Sequence, residues 1–111
     1  MADKVAVLIK KRDAKSFMEG AEHCREYVRD ATLWFGTSVV PPGQRGEVDP
    51  GHGVAEEVFL CTQGHVLVHD GQRHYELEAG DALHIPPGLA HTIINIGEIS
   101  ATVVWAGAPG E

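Results

Sequence analysis

The stretch from Gly80 to Asn95 constrains this chain more than any other: Gly-Asp-Ala-Leu-His-Ile-Pro-Pro-Gly-Leu-Ala-His-Thr-Ile-Ile-Asn. Gly80-Asp81 is turn chemistry. Ala82 to Ile85 is a short apolar run that carries His84. Pro86-Pro87-Gly88 must end that run, because proline lacks a ladder donor and glycine takes the positive φ of a sharp reversal. His91 to Ile96 then resumes as a β-branched strand. A histidine that opens a strand directly after a rigid turn has its ring aimed in advance, which is what a metal ligand requires.

The rest of the chain carries the same punctuation. Val5–Ile9 reads as an apolar strand, followed by the basic run Lys10-Lys11-Arg12. Residues 13–26 read as irregular, with one turn of helix at most, because Gly20 interrupts the loose spacing of Phe17, Met18 and Ala21. Strand segments follow from Tyr27 and over 31–40, where Gly36 suggests a bulge or kink. Residues 43–53 hold four glycines and Pro50 and read as a loop, the place where sites are usually built on a rigid sheet. Residues 56–62 form a strand with Glu57, Phe59 and Cys61 on one face and Glu56, Val58 and Leu60 on the other. Strands at 65–69 and 72–77 flank an Asp70-Gly71 hairpin turn, and 101–105 is the last strand. Short strands separated by turns every eight to twelve residues argue for an all-β sandwich or barrel.

With 111 residues, one domain is the natural reading. A net charge of −7 opposes a phosphate-binding surface, so nucleic acid is not an expected partner. No apolar run reaches the length of a membrane span, and five apolar residues after Lys4 are too few for a signal-peptide core. Cys24 and Cys61 lack metal-type or redox-type spacing and are expected as free thiols in a reducing cytoplasm. Seven histidines, in contrast, call for an explanation at specific positions.

Gly80, Pro86, Gly88, His91 and Asn95 match the spacing G-x5-P-x-G-x2-H-x3-N, and in this the chain resembles the cupin superfamily. The resemblance implies a cupin double-stranded β-helix, a small jelly-roll barrel, in a single domain over 1–111. Residues 1–30 would be an N-terminal strand and irregular arm, and 31–107 the barrel core. It also implies that His91 is a metal ligand. The first motif of that family is G-x5-H-x-H-x(3,4)-E-x6-G. Glu57 and Gly64 fit its second half, which places its second histidine on His52. Its first histidine falls on Pro50, which has no ligating side chain, and its opening glycine is either Gly43 or Gly46. The expected ligands are therefore His52, Glu57 and His91, with Asp49, one residue from the missing histidine, as a candidate fourth. Sequence parity alone would also allow Glu57 outward and Glu56 inward; the distance to Gly64 chooses.

Two imidazoles and a carboxylate suit a divalent transition metal, whether iron, manganese, nickel or zinc, and match the facial arrangement of non-haem iron(II). Arg45, Cys61 and His84 are candidates to line a substrate pocket. The expected function is a metal-dependent enzyme on a small oxygenated metabolite, of dioxygenase, isomerase or lyase type. The alternatives are a non-catalytic, sugar-like binding module and a structural protein whose metal site has degenerated. A homodimer is expected, because Val5–Ile9 offers an apolar strand edge that needs covering.

Overall fold

The computed structural model describes residues 4–110. After a short 3-10 turn at Lys11–Asp13 come nine strands: β1 (Lys15–Glu19), β2 (Glu22–Arg29), β3 (Trp34–Val40), β4 (Glu56–Gln63), β5 (His65–His69), β6 (His74–Glu78), β7 (Ala82–Ile85), β8 (Thr92–Asn95) and β9 (Ala101–Ala108). They form a six-stranded sheet in the order β1-β2-β3-β9-β4-β7 and a three-stranded sheet in the order β6-β5-β8, with every pairing antiparallel. This is the all-β architecture expected from the strand spacing and the jelly roll implied by the family resemblance. Its core joins Trp34, Phe59, Val103 and Trp105 of the large sheet to Val66, Val68, Leu77 and Ile93 of the small one.

The alternation of β4 is as read from sequence. Glu57, Phe59 and Cys61 are buried, while Glu56, Val58 and Leu60 are exposed. The N-terminal third differs from expectation. Residues 5–9 form no strand among the described residues, and Val5, Val7 and Leu8 are exposed. Residues 13–26 are not irregular: β1 and β2 make a hairpin across Gly20-Ala21 and complete the large sheet. Nor is 43–53 wholly a loop. Arg45 bridges Ile94 and Asp49 bridges His91, so this segment zips along the free edge of β8.

Gly36 does not bulge. The irregularity lies across from it on β2, between Glu26 and Val28. Glycine is required at 36 because the ring of Trp105 lies directly over it, where a Cβ would collide. The same holds in reverse at the other end of the pair: Trp34 lies over Gly107. Trp34 faces Gly107 and Gly36 faces Trp105 in the register of β3 and β9. The two indoles thus fill space left by two glycines, and packing density fixes both rings. Replacing Gly107 or Gly36 by alanine should cost about 1–3 kcal/mol through overpacking, read as a lower urea midpoint at unchanged slope. A stability equal to the parent's would show that the rings have room to move.

Candidate metal centre

Two loops and one strand bring Asp49, Glu57 and His91 together, while His52, expected as a ligand, lies outside that group. Asp49 sits where the 43–49 segment exchanges backbone hydrogen bonds with His91, at 2.8 and 2.9 Å. The N–H of Gly88 donates to the His52 carbonyl at 2.6 Å, which ties the second loop to the Pro86-Pro87-Gly88 turn. Gly51 has a φ of +87° and abuts Gly88 and Leu89 so closely that a Cβ would meet their backbone at 2.9 Å. Only glycine fits there. Glu57 enters from β4 on its buried face.

Each side chain is held by one atom and offers another. Glu57 Oε2 accepts the indole N–H of Trp34 at 3.2 Å. Asp49 Oδ1 accepts the N–H of Gly51 at 2.8 Å. His91 Nδ1 lies 2.9 Å from the Leu89 carbonyl, which can only accept, so Nδ1 carries a proton and, in the neutral ring, Nε2 has the lone pair. The offered atoms converge. His91 Nε2 is 3.2 Å from Glu57 Oε1 and 3.8 Å from Asp49 Oδ2. Ligating atoms of Asp49, Glu57 and His91 all lie within 4.8 Å of one another. His52 approaches through Asp49, its Nε2 3.9 Å from Oδ2, with its ring 4.4 Å from that of Trp34.

Glu57 and His91 are 5% and 4% exposed, yet Glu57 Oε1 and His91 Nε2 have no aligned hydrogen-bond partner. A proton on Nε2 would make them an ion pair, and with the ring neutral both are acceptors that a shared cation fits. Burial pulls the His91 pKa down, but contact with Glu57, the Leu89 carbonyl and the charges of Asp49 and Glu57 overcome it and raise it overall. The potential that would hold a proton on Nε2 is the potential a metal cation would meet.

Asp49 therefore supplies a carboxylate beside Pro50, where the family pattern has a histidine. The pocket residues read from sequence are not where they were expected. His84 pairs with Val58 on the outer face and bonds exposed Glu56 at 2.8 Å. Arg45 is exposed on the segment bridged to β8. Cys61 is fully buried, with its thiol directed at the Gln63 and Gly64 carbonyls. The cavity beside the cluster, about 110 Å³, is lined instead by Arg29, Cys24 and residues that sequence reading passed over on β1 and β2. Cys24 Sγ lies 3.7 Å from Glu22 Oε2 and 3.5 Å from Ser38 Oγ. Ser38 donates to Glu22 Oε2 and accepts from the Trp105 indole at 2.8 Å. Glu19, Glu22 and Cys24 form a second close group. Burial, then the charge of Glu22, pushes the Cys24 thiol up to about 12, the wrong direction for a thiolate ligand.

The family model described as "Cupin domain" matches residues 36–107. The chain belongs to the cupin family. A curated relative, the uncharacterized protein MJ1618 of Methanocaldococcus jannaschii, is 28% identical over 72 residues, which are 65% of this chain and 57% of that protein. The chain thus matches little more than half of that relative's length. An uncharacterized conserved protein with a double-stranded β-helix domain from Klebsiella pneumoniae superposes with a TM-score of 0.80 at 18% identity, over 96% of this chain and 93% of that one. A predicted oxalate decarboxylase from Thermotoga maritima superposes at 0.76 with 15% identity, over 91% and 97%. At these identities the likeness is one of fold.

Glu22, 8% exposed, is raised to about 7, first by burial and then by Glu19 and Asp49, against the lowering bonds of Ser38 and Cys24. A raised carboxyl favours the folded state when protonated. Its contribution is complete below the unfolded value of 4.5 and is lost as pH rises through about 7. Metal-free protein should therefore lose up to ~3 kcal/mol between pH 5 and 8 that Glu22→Gln does not lose, measured by urea unfolding at both pH values. Identical pH dependence in the two proteins would contradict this.

Proposed function

We propose that the chain is a metal-dependent cupin enzyme acting on a small oxygenated metabolite, with the metal held by Glu57, His91 and Asp49 and approached by His52. The observation that supports the reading is the convergence of Glu57 Oε1, His91 Nε2 and a carboxylate oxygen of Asp49, all within 4.8 Å of one another, with Glu57 and His91 buried. Nitrogen and carboxylate donors suit iron, manganese, nickel or zinc alike. When bound, such an ion supplies Lewis acidity toward a substrate oxygen.

The chain's own residues do the rest. Trp34 fixes Glu57, the Leu89 carbonyl fixes the His91 tautomer, and the Gly51–Gly88 contact fixes the loops. Within the cavity Arg29 is held by Glu26 and lies over Trp34. A dioxygenase, isomerase or lyase is the class of enzyme consistent with this site. The opposing reading, a binding or structural cupin, is favoured by Pro50 standing where a ligand histidine is usual. Elemental analysis of tag-free protein separates the two readings. Near one transition metal per chain, lost in both Glu57→Ala and His91→Ala, is the expected result. No uptake of iron, manganese, nickel or zinc would support binding without metal chemistry.

A cytoplasmic homodimer completes the proposal. Val5, Val7 and Leu8 are about 80% exposed (80%, 80% and 79%). Phe35, Ala106 and Val58 make a continuous cross-strand row on the outer face of the large sheet. A second copy would cover both surfaces. Size exclusion with light scattering should give about twice the 12.0 kDa chain mass, and the single-chain mass would contradict it.

A further inference from the structure

The net charge of −7 conceals one strongly basic place. Lys10, Lys11, Arg12 and Arg25 line a single open pocket of about 530 Å³. They are four of the chain's nine lysines and arginines. Three come from the basic run evident in the sequence, and β2 supplies the fourth. Backbone hydrogen bonds give that run a shape. The N–H of Asp13 donates to the Lys10 carbonyl at 2.9 Å and that of Ala14 to the Lys11 carbonyl at 3.3 Å, which curls the chain into the 3-10 turn. β1 follows at once and pairs with β2, with Ser16 opposite Arg25, so the turn is set beside Arg25.

Arg25 alternates with Cys24, which is buried and lines the cavity beside the metal cluster. Arg25 therefore belongs to the outer face of the large sheet. The basic pocket and that cavity lie on opposite faces of β2, so the pocket stands apart from the metal reading.

No carboxylate offsets this charge. Among the described residues none of the four cations forms an ion pair, and no aspartate or glutamate lines the pocket. The cross-strand partners of Arg25 are Ser16 and Thr37. His23, two residues before it, lies 2.6 Å from the Ser16 hydroxyl through Nε2. Glu26, its neighbour in sequence, lines the inner cavity and accepts from Arg29. Asp13 follows Arg12 in the turn but is not on the pocket wall. Four like charges that repel one another and meet no acid favour a multiply charged anion among them.

The wall also selects among anions. Two guanidinium forks match the oxygens of a phosphate, and two ammonium groups add point charges. The volume falls within the range of small-molecule sites, about 300–1,000 Å³. Among the described residues no aromatic ring lines the pocket, so nothing there stacks a nucleobase. We propose that this pocket binds a small phosphorylated compound, free in solution, through its phosphate or diphosphate group.

The test is calorimetric titration of the full chain with sodium pyrophosphate and with sodium phosphate at low ionic strength. One site per chain is expected, with pyrophosphate the tighter ligand and affinity falling as sodium chloride is added. Arg25→Gln and Lys11→Gln should each weaken pyrophosphate about tenfold, the loss of one charge-assisted contact. Lys11 is exposed, so its variant keeps the test valid if Arg25→Gln does not fold. Arg73→Gln removes an exposed cation from the β5–β6 turn and should bind like the parent. Unchanged affinity in both Arg25→Gln and Lys11→Gln would place the anion elsewhere and overturn the proposal. An equal loss in Arg73→Gln, the mark of net charge alone, would overturn it too, as would the absence of saturable binding. Co-sedimentation with phosphatidylcholine vesicles containing phosphatidic acid, without binding of free pyrophosphate, would assign the pocket to a lipid surface and also overturn it.

Discussion

A buried carboxylate oxygen and a buried imidazole nitrogen, held 3.2 Å apart, set the terms for the rest of this protein. With neither a proton nor a metal ion between them, two acceptors would face each other at a cost on the order of 1–3 kcal/mol each. The fold holds them in that position. Trp34 takes the other oxygen of Glu57, and the Leu89 carbonyl takes the other nitrogen of His91. Neither side chain can swing away to find a neighbour without giving up the bond that holds it. A proton on His91 satisfies the pair alone, whereas the proposed metal cation would engage Asp49 beside them as well.

The two tryptophans connect this site to the sheet. Each indole is wedged over a glycine of the neighbouring strand, and each spends its N–H on the pocket. Trp34 bonds Glu57 directly, and Trp105 bonds Ser38, which in turn bonds Glu22. Rigid packing in the sheet thereby becomes rigid placement of two carboxylates, one in the metal cluster and one in the adjoining cavity. The small sheet contributes His91 and, through the backbone bridge to Asp49, the third member of the group. The motif residue Asn95 has a separate duty. It is 1% exposed, and its amide donates to the Val40 and Ile99 carbonyls while its oxygen accepts from Gly97. It clamps the turn beyond β8 and does not touch the cluster.

Much of the fold was legible because β4 to β9 are short runs bounded by clear turns. The interval from Glu57 to Gly64 chose the inward carboxylate, and the structure places Glu57 inward. The N-terminal third was illegible for a physical reason. On β2 the inward positions are Glu22, Cys24 and Glu26, while His23 and Arg25 lie between them. A strand that turns carboxylates toward the interior carries no hydrophobic alternation, so it resembles an irregular segment. Arg29 and the carboxylates of β1 and β2 therefore reach the cavity from a segment whose pattern does not announce a strand. Pro50 misled in the same way. The sequence shows a lost histidine, whereas the pairing of Asp49 with His91 that supplies a carboxylate is a backbone contact between distant segments.

The proposed metal ion belongs to the histidine–carboxylate group and not to Glu19, Glu22 and Cys24. The absorption spectrum of cobalt(II)-substituted protein tests this most directly, because thiolate ligation has its own charge-transfer signature. Weak visible bands from nitrogen and oxygen ligands, no thiolate-to-cobalt band, and loss of the spectrum in His91→Ala are expected. An intense thiolate band that disappears in Cys24→Ser and survives in His91→Ala would contradict that assignment.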